Sequence, residues 1–458
     1  MKNSINNSIN EWRQELKNWL KPAIIWDLLW VYGIDSMDSY FLYLLSLRSI
    51  LWWWDENKEI VLPGTKENIE KQLNPLKENL LKVLWISSKQ VVSWDFKKNT
   101  KAKDRQAYMR TPYYLSDDRD YLNSQKEILE LVRLFWDKVY LADFIKKNNL
   151  ENLIPSNTTT FLDGDNWNNV LTEIKNRFES KSNFIVKAGE WASWENMILV
   201  FFENDNIYVM HHKTNWKKQK IESFEELKKE LNIAIPDIQK TKKWMFTDDG
   251  YNKDTVLNQY FLVQDLVDTS KYKEKSMNFY ITENGEFYPT NFGSNIAVWW
   301  VHKWNIEELL DKDLLKKFEP LLKKIVEKWY TWPIWFDFFL SNERDIKIIE
   351  ANTRYTAPIT PSMLVYKLQE QWKIWKWFTW KLIQKFDTKI DLTLLDNFKQ
   401  YNLVEKIIKE EDIKDASFLV YSPVFGEKYQ SVIFIWPNQE SIDELIKKLE
   451  TELKKFTI

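Results

Sequence analysis

A chain of 458 residues is too long for one small module and predicts two to four domains. Its 65 basic and 67 acidic residues leave a formal charge of −2, which excludes a polycationic surface for nucleic acid and an acidic tail. The lack of Cys excludes thiol catalysis, disulfides and thiolate metal sites, and three His are too few for a His-rich metal centre.

The first third of the chain alternates helix-like and strand-like segments, which predicts an N-terminal α/β domain over residues 1–155. The apolar patterns predict, in chain order, a strand at 22–25, a helix at 39–51, a strand at 82–86 and a helix at 123–135 followed by the short apolar run 138–141. Residues 155–160, with Ser, Asn and three Thr, are the best linker candidate.

The middle of the chain predicts a second domain of hairpins and helices, over residues 156–385. The predicted elements are a helix at 168–178, a strand at 183–187, a hairpin of 197–202 with 207–211, a helix at 224–231, a strand at 259–267, a hairpin of 276–280 with 287–290, a helix at 306–328 and a hairpin of 334–340 with 346–350. The apolar pattern of residues 386–458 predicts a small α+β tail, with strands at 417–421 and 431–435 and a helix at 442–453.

Tryptophan and glycine are both abnormal in number. The chain has 26 Trp and only 8 Gly, so Gly is about 1.7% of the residues against roughly 7% in an average protein, and the two types together make up about 7%. Many Trp stand where breaks between elements are predicted, and glycine suits such breaks through its access to positive φ. Those positions are Trp191, Trp194, Trp299, Trp300, Trp332 and Trp335.

We therefore hypothesise that many of these Trp are glycine in the cell, as in genomes that read the codon UGA as glycine. The competing interpretation is that the Trp are genuine, and that solvent-facing indoles bind carbohydrate or lie on a membrane surface. That interpretation leaves the shortage of Gly unexplained.

The hairpin at 334–352 is the most informative segment for chemistry. If Glu343 and Arg344 form its tip, Asp337 lies opposite Glu350 on one face, with Cβ atoms roughly 5 Å apart. Asn352 and Arg354 stay on that face if the strand continues. Carboxylate and amide oxygens suit a hard cation such as Mg²⁺. The alternative is that the two acids are solvated residues on the polar face of a half-buried hairpin, since a register slip of one residue breaks the alignment.

A second candidate segment is the strand that ends in Lys187, followed by a polar loop over residues 188–196. With Gly at positions 191 and 194, this loop is a Gly/Ser-rich turn whose backbone N–H groups could wrap phosphate oxygens. It has no Gly-Lys-Ser/Thr sequence and no dinucleotide fingerprint, so it is neither a P-loop nor a Rossmann turn.

Taken together, these segments resemble the ATP-grasp superfamily, which includes biotin carboxylases and peptide or amino-acid ligases. Four segments carry the resemblance, in family order and within about 156–385. They are Lys187 with its loop to Asn196, the strand 260–267, residues 334–337, and residues 349–354, of which the last is the most specific. Many family members have another phosphate-binding Lys upstream, but between residues 155 and 183 only Lys175 and Lys181 occur, without a convincing context.

The resemblance implies a role for each matching residue. Lys187, with Gly189, Glu190 and Ser193 of its loop, would contact the phosphates of ATP, and backbone groups of Gln264, Asp265, Leu266 and Val267 would hold the adenine edge. Asp337, Glu350 and Asn352 would ligate Mg²⁺, and Arg354 would steady the transferred phosphoryl group or the acyl phosphate.

The implied activity is that of an ATP-dependent ligase acting on a small-molecule carboxylate and an amine-type acceptor. We expect a soluble, cytoplasmic protein without nucleic-acid or membrane partners, because no apolar leader is present and residues 40–54 are too few to cross a bilayer. Two alternatives stay open: a non-catalytic Trp-rich binder of carbohydrate or membrane surface, and an ATP-grasp relic that binds nucleotide without turnover.

Overall fold

The structure is a computed structural model. It describes residues 126–162, 167–189, 196–235, 240–247, 250–258, 260–298, 301–308 and 312–353, together with the short segments 23–25, 59–63, 91–94, 105–107, 379–383, 417–425 and 429–436 and the helical residues 444, 447, 448, 451 and 452. The predicted helix at 39–51 and strand at 82–86 lie outside the described residues.

Strands outnumber helices in the described part of the chain. In chain order the elements are β1 (Ala23–Ile25), β2 (Glu59–Pro63), β3 (Val91–Trp94), β4 (Arg105–Ala107), α1 (Lys126–Trp136), α2 (Lys138–Lys147), a 3₁₀ turn (Glu151–Leu153), β5 (Thr159–Phe161), α3 (Trp167–Glu179), β6 (Phe184–Ala188), β7 (Met197–Glu203), β8 (Asn206–Met210), a 3₁₀ turn (His212–Thr214), β9 (Gln219–Ile221), α4 (Phe224–Ala234), β10 (Lys240–Thr247), β11 (Gly250–Asn258), β12 (Phe261–Asp265), β13 (Tyr272–Ile281), β14 (Phe287–Val298), β15 (Val301–Glu307), α5 (Lys312–Val326), β16 (Trp332–Ser341), β17 (Ile346–Asn352), β18 (Thr379–Ile383), β19 (Ser417–Phe425) and β20 (Tyr429–Trp436).

The chain divides into two compact units, each made of several segments. The first contains Met1–Ile5, Arg110–Pro289 and Leu310–Arg354, and the second contains Asn6–Met109, Thr290–Leu309 and Tyr355–Ile458. The boundaries expected from the sequence, at 155 and 385, stay a prediction.

A six-stranded antiparallel sheet forms part of the first unit, in the order β5-β12-β6-β7-β8-β9. Its strands are rich in Val, Ile and Phe, which favour a pleated and half-buried surface. The apolar faces of α3 and α4 pack on it, with Ile174 and Leu231 fully buried against Phe184 and Val200. The predicted helices at 168–178 and 224–231 and the strand at 183–187 are thereby confirmed.

Ser223 begins α4 as predicted from its spacing to Glu226. The Ser223 Oγ accepts a hydrogen bond from the Glu226 N–H at 3.2 Å. The Glu226 carboxylate in turn accepts from the Glu222 N–H at 2.7 Å, one residue before the cap. The first bond satisfies a backbone donor that the first turn of a helix leaves without an intrahelical partner, and the second ties the residue before the cap to the same turn.

The strands β13, β16 and β17 form the other antiparallel part of the first unit. β13 pairs with β16 along ten residues, and β16 turns back into β17 as a hairpin. Helix α5 covers these strands through Phe318, whose ring lies 5.1 Å from Phe338, 5.5 Å from Phe336 and 5.6 Å from Phe279. The hairpin that carries the candidate acids is therefore backed by a packed aromatic core.

The helix predicted over 306–328 is wrong at its start. Residues up to Glu307 belong to β15, which pairs antiparallel with β14, so that Ile306 lies opposite Ser294. The described helix begins only at Lys312. Antiparallel pairing with the preceding strand β14 outweighs the local helical pattern here.

The second unit contains parallel and antiparallel strands. β1, β2, β3 and β4 form a parallel sheet in the order β3-β2-β1-β4, as is typical of α/β domains. β15 pairs antiparallel with β18, β18 with β20, and β20 with β19. The predicted strands at 22–25, 417–421 and 431–435 correspond to β1, β19 and β20 and are confirmed.

Several tryptophans are at positions that bear on the glycine hypothesis. Trp335 lies inside β16, so the prediction that it marks a break between elements is wrong, whereas Trp332 is the first residue of that strand. Trp216 and Trp329, by contrast, have φ angles of 59° and 62°. This left-handed region is unfavourable for a bulky side chain and favours glycine. Trp329 follows α5 and is 86% exposed, as expected for a helix-terminating position at which glycine is common.

Candidate active site

The elbow between α1 and α2 contributes a buried carboxylate and a buried ammonium group. Asp137 caps α2, and its Oδ1 accepts hydrogen bonds from the N–H groups of Val139 at 2.8 Å and Tyr140 at 3.1 Å. Lys138 is the first residue of the helix and is only 6% exposed. A cation is unfavourable at the positive end of a helix dipole. The carboxylate of Glu350 compensates the charge of Lys138, since its Oε2 lies 3.0 Å from the Lys138 Nζ.

The hairpin of β16 and β17 brings the two predicted acids opposite each other. Asp337 pairs with Glu350 and Trp335 with Asn352, as the sequence predicted. The tip differs from the prediction, because Ser341 pairs with Asp345 across a three-residue loop in which Arg344 has a φ of 64°. Ile349 forms a β-bulge between the pairs Phe338–Ile348 and Asp337–Glu350. The bulge offsets the displaced tip and restores the pairing of the acids.

Both oxygens of Asp337 accept hydrogen bonds from neighbouring side chains. The indole Nε1 of Trp335 donates to Oδ1 at 2.7 Å, and the Nδ2 of Asn352 donates to Oδ2 at 3.2 Å. Burial, followed by the charges of Glu350 and Glu274, raises the pKa of Asp337 well above its ordinary value. The site therefore concentrates negative charge that a cation would relieve.

Glu274 is a further carboxylate near this pair, and sequence reasoning missed it. It lies on β13 two residues before Ser276, which pairs with Asp337, so the period of two puts Glu274 on the same face. Burial, followed by the charge of Glu350, raises the pKa of Glu274 to about 7. No local motif marks this residue, because its position follows from pairing between β13 and β16.

Lys187 lies near the end of β6 and is 5% exposed. Burial, followed by the charge of Lys138, lowers the pKa of Lys187 to about 8, and Glu350 opposes this shift. Burial also opposes ionisation of Glu350, but Lys138 and Lys187 outweigh it and lower the pKa of Glu350. Two lysines and one glutamate thus form a single electrostatic group.

The upstream lysine sought between residues 155 and 183 is not found among those residues. Lys175 and Lys181 are exposed and pair with Glu179 and Asp205 on the surface. The buried second lysine of the site is Lys138 instead. The sequence does contain a signal for Lys138. Asp137 is a residue type that caps helices, and a lysine directly after a cap lies at the helix end that is least favourable for a cation.

The end of β12 is the segment expected to hold adenine. Gln264 is buried, the Asp265 N–H donates to the Ser156 carbonyl at 3.2 Å, and the Leu266 N–H donates to the Asn183 carbonyl at 3.1 Å. Within the described part of the chain, the Val267 N–H has no acceptor. Of these three backbone donors, Val267 is therefore the one open to a ligand.

Gly189 connects β6 to the polar loop and packs against the α1–α2 elbow. Its N–H donates to the Tyr260 carbonyl at 3.1 Å, and a Cβ at this position would overlap the Asp137 carboxylate. The predicted site residues Glu190, Ser193 and Arg354 lie outside the described residues, as do Trp191 and Trp194.

Neither a cluster of acidic or histidine metal ligands nor a membrane-spanning helix occurs among the described residues. No group of three or more Asp, Glu or His side chains among them is close enough to hold a metal ion. A cation at this site would therefore need the Asn352 amide in addition to Asp337 and Glu350. The described helices also include none with the length and apolar character needed to cross a membrane.

Comparison with known proteins identifies the fold. No protein-family model and no curated protein matches the chain. An ADP complex of N5-carboxyaminoimidazole ribonucleotide synthetase is 11% identical, with 93% of this chain and 95% of that chain covered and a TM-score of 0.52. The synthase of Aspergillus clavatus with ADP and 5-aminoimidazole ribonucleotide is 10% identical, with 95% and 99% covered and a TM-score of 0.51. The Staphylococcus aureus synthetase with ADP is also 10% identical, with 88% and 94% covered and a TM-score of 0.50. The chain has the ATP-grasp fold, as the sequence predicted.

Proposed function

We propose that this protein is an ATP-dependent ligase that activates a small-molecule carboxylate as an acyl phosphate, which an amine then attacks. The observation that carries the proposal is the convergence of two buried ammonium groups with two facing carboxylates in an ATP-grasp fold. Lys138 and Lys187 supply positive charge for the phosphates of ATP. Because both lysines are buried, their attraction for phosphate is screened less than it would be at the surface.

The adenine of ATP would lie against the end of β12. The Val267 N–H is the backbone donor available there, since those of Asp265 and Leu266 bind Ser156 and Asn183. Carbonyl groups of the same segment would accept hydrogen bonds from the amino group of the base. In this arrangement the predicted residues Gln264, Asp265, Leu266 and Val267 would recognise the base. Gly189, Glu190 and Ser193 would lie near the phosphates.

Asp337, Glu350 and Asn352 fit Mg²⁺ in the chemistry of their donor atoms. Two facing carboxylates, of which one has a raised pKa, have an excess of negative charge that a divalent cation removes. When bound, Mg²⁺ would neutralise charge on the β- and γ-phosphates. Arg354, two residues beyond Asn352 in sequence, is proposed to steady the transferred phosphoryl group.

The reaction would require positioning and charge neutralisation more than a general base. A carboxylate oxygen of the substrate attacks the γ-phosphorus of ATP, an O–P bond forms, and the bond to the ADP oxygen breaks. The amine nitrogen then attacks the acyl carbon, phosphate leaves, and the amine loses a proton to water. The absence of Cys and the scarcity of His are compatible with this route.

ADP release and hydroxylamine trapping test the proposal. We expect the full chain, with ATP, Mg²⁺ and a panel of carboxylic acids including bicarbonate, to release ADP, and an acyl phosphate from a carboxylic acid to be trapped as its hydroxamate. 5-Aminoimidazole ribonucleotide belongs in the acceptor panel because one structural neighbour was solved with it.

Glu350→Gln should reduce ADP release by about 100-fold or more. Glu343→Gln, at the exposed hairpin tip, should not change it. Binding of ADP without release from any acid would contradict the ligase activity.

A nucleotide-binding protein without turnover is the second candidate, and the Trp335 indole favours it. As Trp, residue 335 donates to Asp337 Oδ1 and holds that oxygen away from a cation. As Gly, it would remove this hydrogen bond. Comparison of the Trp335 protein with Trp335→Gly separates the two: ADP release in the Gly form, with or without release in the Trp form, supports the ligase, and no release in either form supports binding alone.

A further inference from the structure

Three residues behind the proposed adenine segment form a closed hydrogen-bonded triangle. Arg177 on α3 donates from Nη1 to Asp265 Oδ1 at 2.7 Å and from Nη2 to the carbonyl of Asn157. Asn157 donates from Nδ2 to Asp265 Oδ2 at 2.8 Å. Each member is thus bonded to the other two, and no member lies in the phosphate or metal part of the site.

Burial of Arg177 and the backbone conformation of Asn157 restrain this triangle. Arg177 is only 7% exposed, and its Nε also donates to Glu173 at 2.7 Å. Asn157 has a φ of 49°, a left-handed conformation that Asn tolerates. The backbone is held at the same place, since the Asp265 N–H donates to the Ser156 carbonyl. Both the side chain and the backbone of Asp265 are therefore tied to the turn at 156–157.

The triangle ends where β12 leaves the sheet. Asp265 is the last residue of β12, and Val267 follows two residues later with an open N–H. The direction of that N–H depends on the backbone at 265–267, which the triangle holds. A donor fixed before the ligand arrives saves the entropy of ordering it on binding.

We propose that Arg177 is a positioning residue that fixes the segment 265–267 and thereby sets the preference of the site for adenine over other bases. The inference rests on the proposed nucleotide function and adds a residue that touches no substrate. It concerns recognition of the base, because the contacts of Arg177 reach Asp265 and not the lysines or carboxylates at the phosphate end.

Calorimetric binding of ADP, GDP and inorganic triphosphate to the full chain tests this role. In Arg177→Met we expect about tenfold weaker binding of ADP and a smaller preference for ADP over GDP, with binding of triphosphate unchanged. Asp265→Asn keeps the size of the side chain and should shift the preference in the same direction. Lys175→Met is the matched control, because Lys175 lies on the same helix, is exposed and pairs with Glu179 on the surface.

The outcomes separate this inference from the proposed function. Weaker ADP binding with loss of base preference supports the positioning role. An equal loss for ADP, GDP and triphosphate would show general destabilisation and overturn it, as would an undiminished ADP preference in both variants. Wild-type protein that binds no nucleotide overturns the proposed function together with this inference.

Discussion

Lys187 is the residue whose ionisation should control binding of nucleotide. Burial and Lys138 lower its pKa to about 8, so raising the pH through 8 removes the positive charge from the unliganded protein. Bound phosphate stabilises the protonated form of Lys187, so ADP binding above pH 8 must be accompanied by proton uptake. We expect affinity for ADP to fall about tenfold between pH 7 and pH 9.

Calorimetry in buffers of different ionisation enthalpy measures both the affinity and the proton uptake. Lys187→Met should bind ADP weakly at every pH and show no proton uptake near pH 8. The exposed Lys181→Met is the control and should retain the wild-type pH profile. A wild-type affinity that is flat from pH 7 to pH 9 would contradict the assignment of Lys187 to the phosphates.

Trp329 tests the glycine hypothesis at a single position. Its left-handed backbone costs a residue with a Cβ roughly 1–2 kcal/mol, whereas glycine adopts it freely. Trp329→Gly should raise the free energy of unfolding by about 1 kcal/mol, measured by urea denaturation. Trp329→Ala removes the exposed indole but keeps the Cβ, so it should stabilise less. Equal stabilisation by Ala and Gly would show that the indole, and not the backbone angle, is responsible.

At the level of elements, the end of β6 and the α1–α2 elbow depend on each other. Gly189 leaves room for the Asp137 carboxylate, which caps α2 directly before Lys138. Gly189→Ala should destabilise the protein by roughly 1–3 kcal/mol, because the added methyl group overlaps that carboxylate. Asp137→Ser keeps a capping oxygen on a shorter side chain.

The double variant Gly189→Ala with Asp137→Ser should therefore be more stable than the sum of the single changes predicts. A double-mutant cycle by urea denaturation measures this coupling. Strict additivity of the two changes would contradict direct packing between β6 and the elbow.

The β16–β17 hairpin shows how far local pattern predicts geometry. Alternation and turn residues predicted both strands and the pairing of Asp337 with Glu350. The three-residue tip and the bulge at Ile349 were not predicted, since each alters the register by an amount that the other offsets. The start of α5 was predicted wrongly because β15 pairs with β14, and helical periodicity does not reveal that partner.

For the molecule as a whole, the composition of the native protein depends on whether the cell inserts Trp or Gly at these positions. If every one of the 26 Trp is glycine in the native protein, its intact mass should be about 3.4 kDa below that of the Trp-containing chain, and its glycine content would be ordinary. Mass spectrometry of protein from the native cell measures the difference. A native mass equal to that of the Trp-containing chain would refute recoding.

The sequence by itself indicated the ATP-grasp fold, the pairing of Asp337 with Glu350 and the candidate residues Lys187 and Asn352, because periodicity, turn chemistry and short spacings are local properties. Only the tertiary structure decided that Lys138 pairs with Glu350, that Glu274 faces the same acids, and that Arg177 holds Asp265. These contacts join residues far apart in the chain. Their formation depends on sheet register and burial, which no short stretch of sequence specifies.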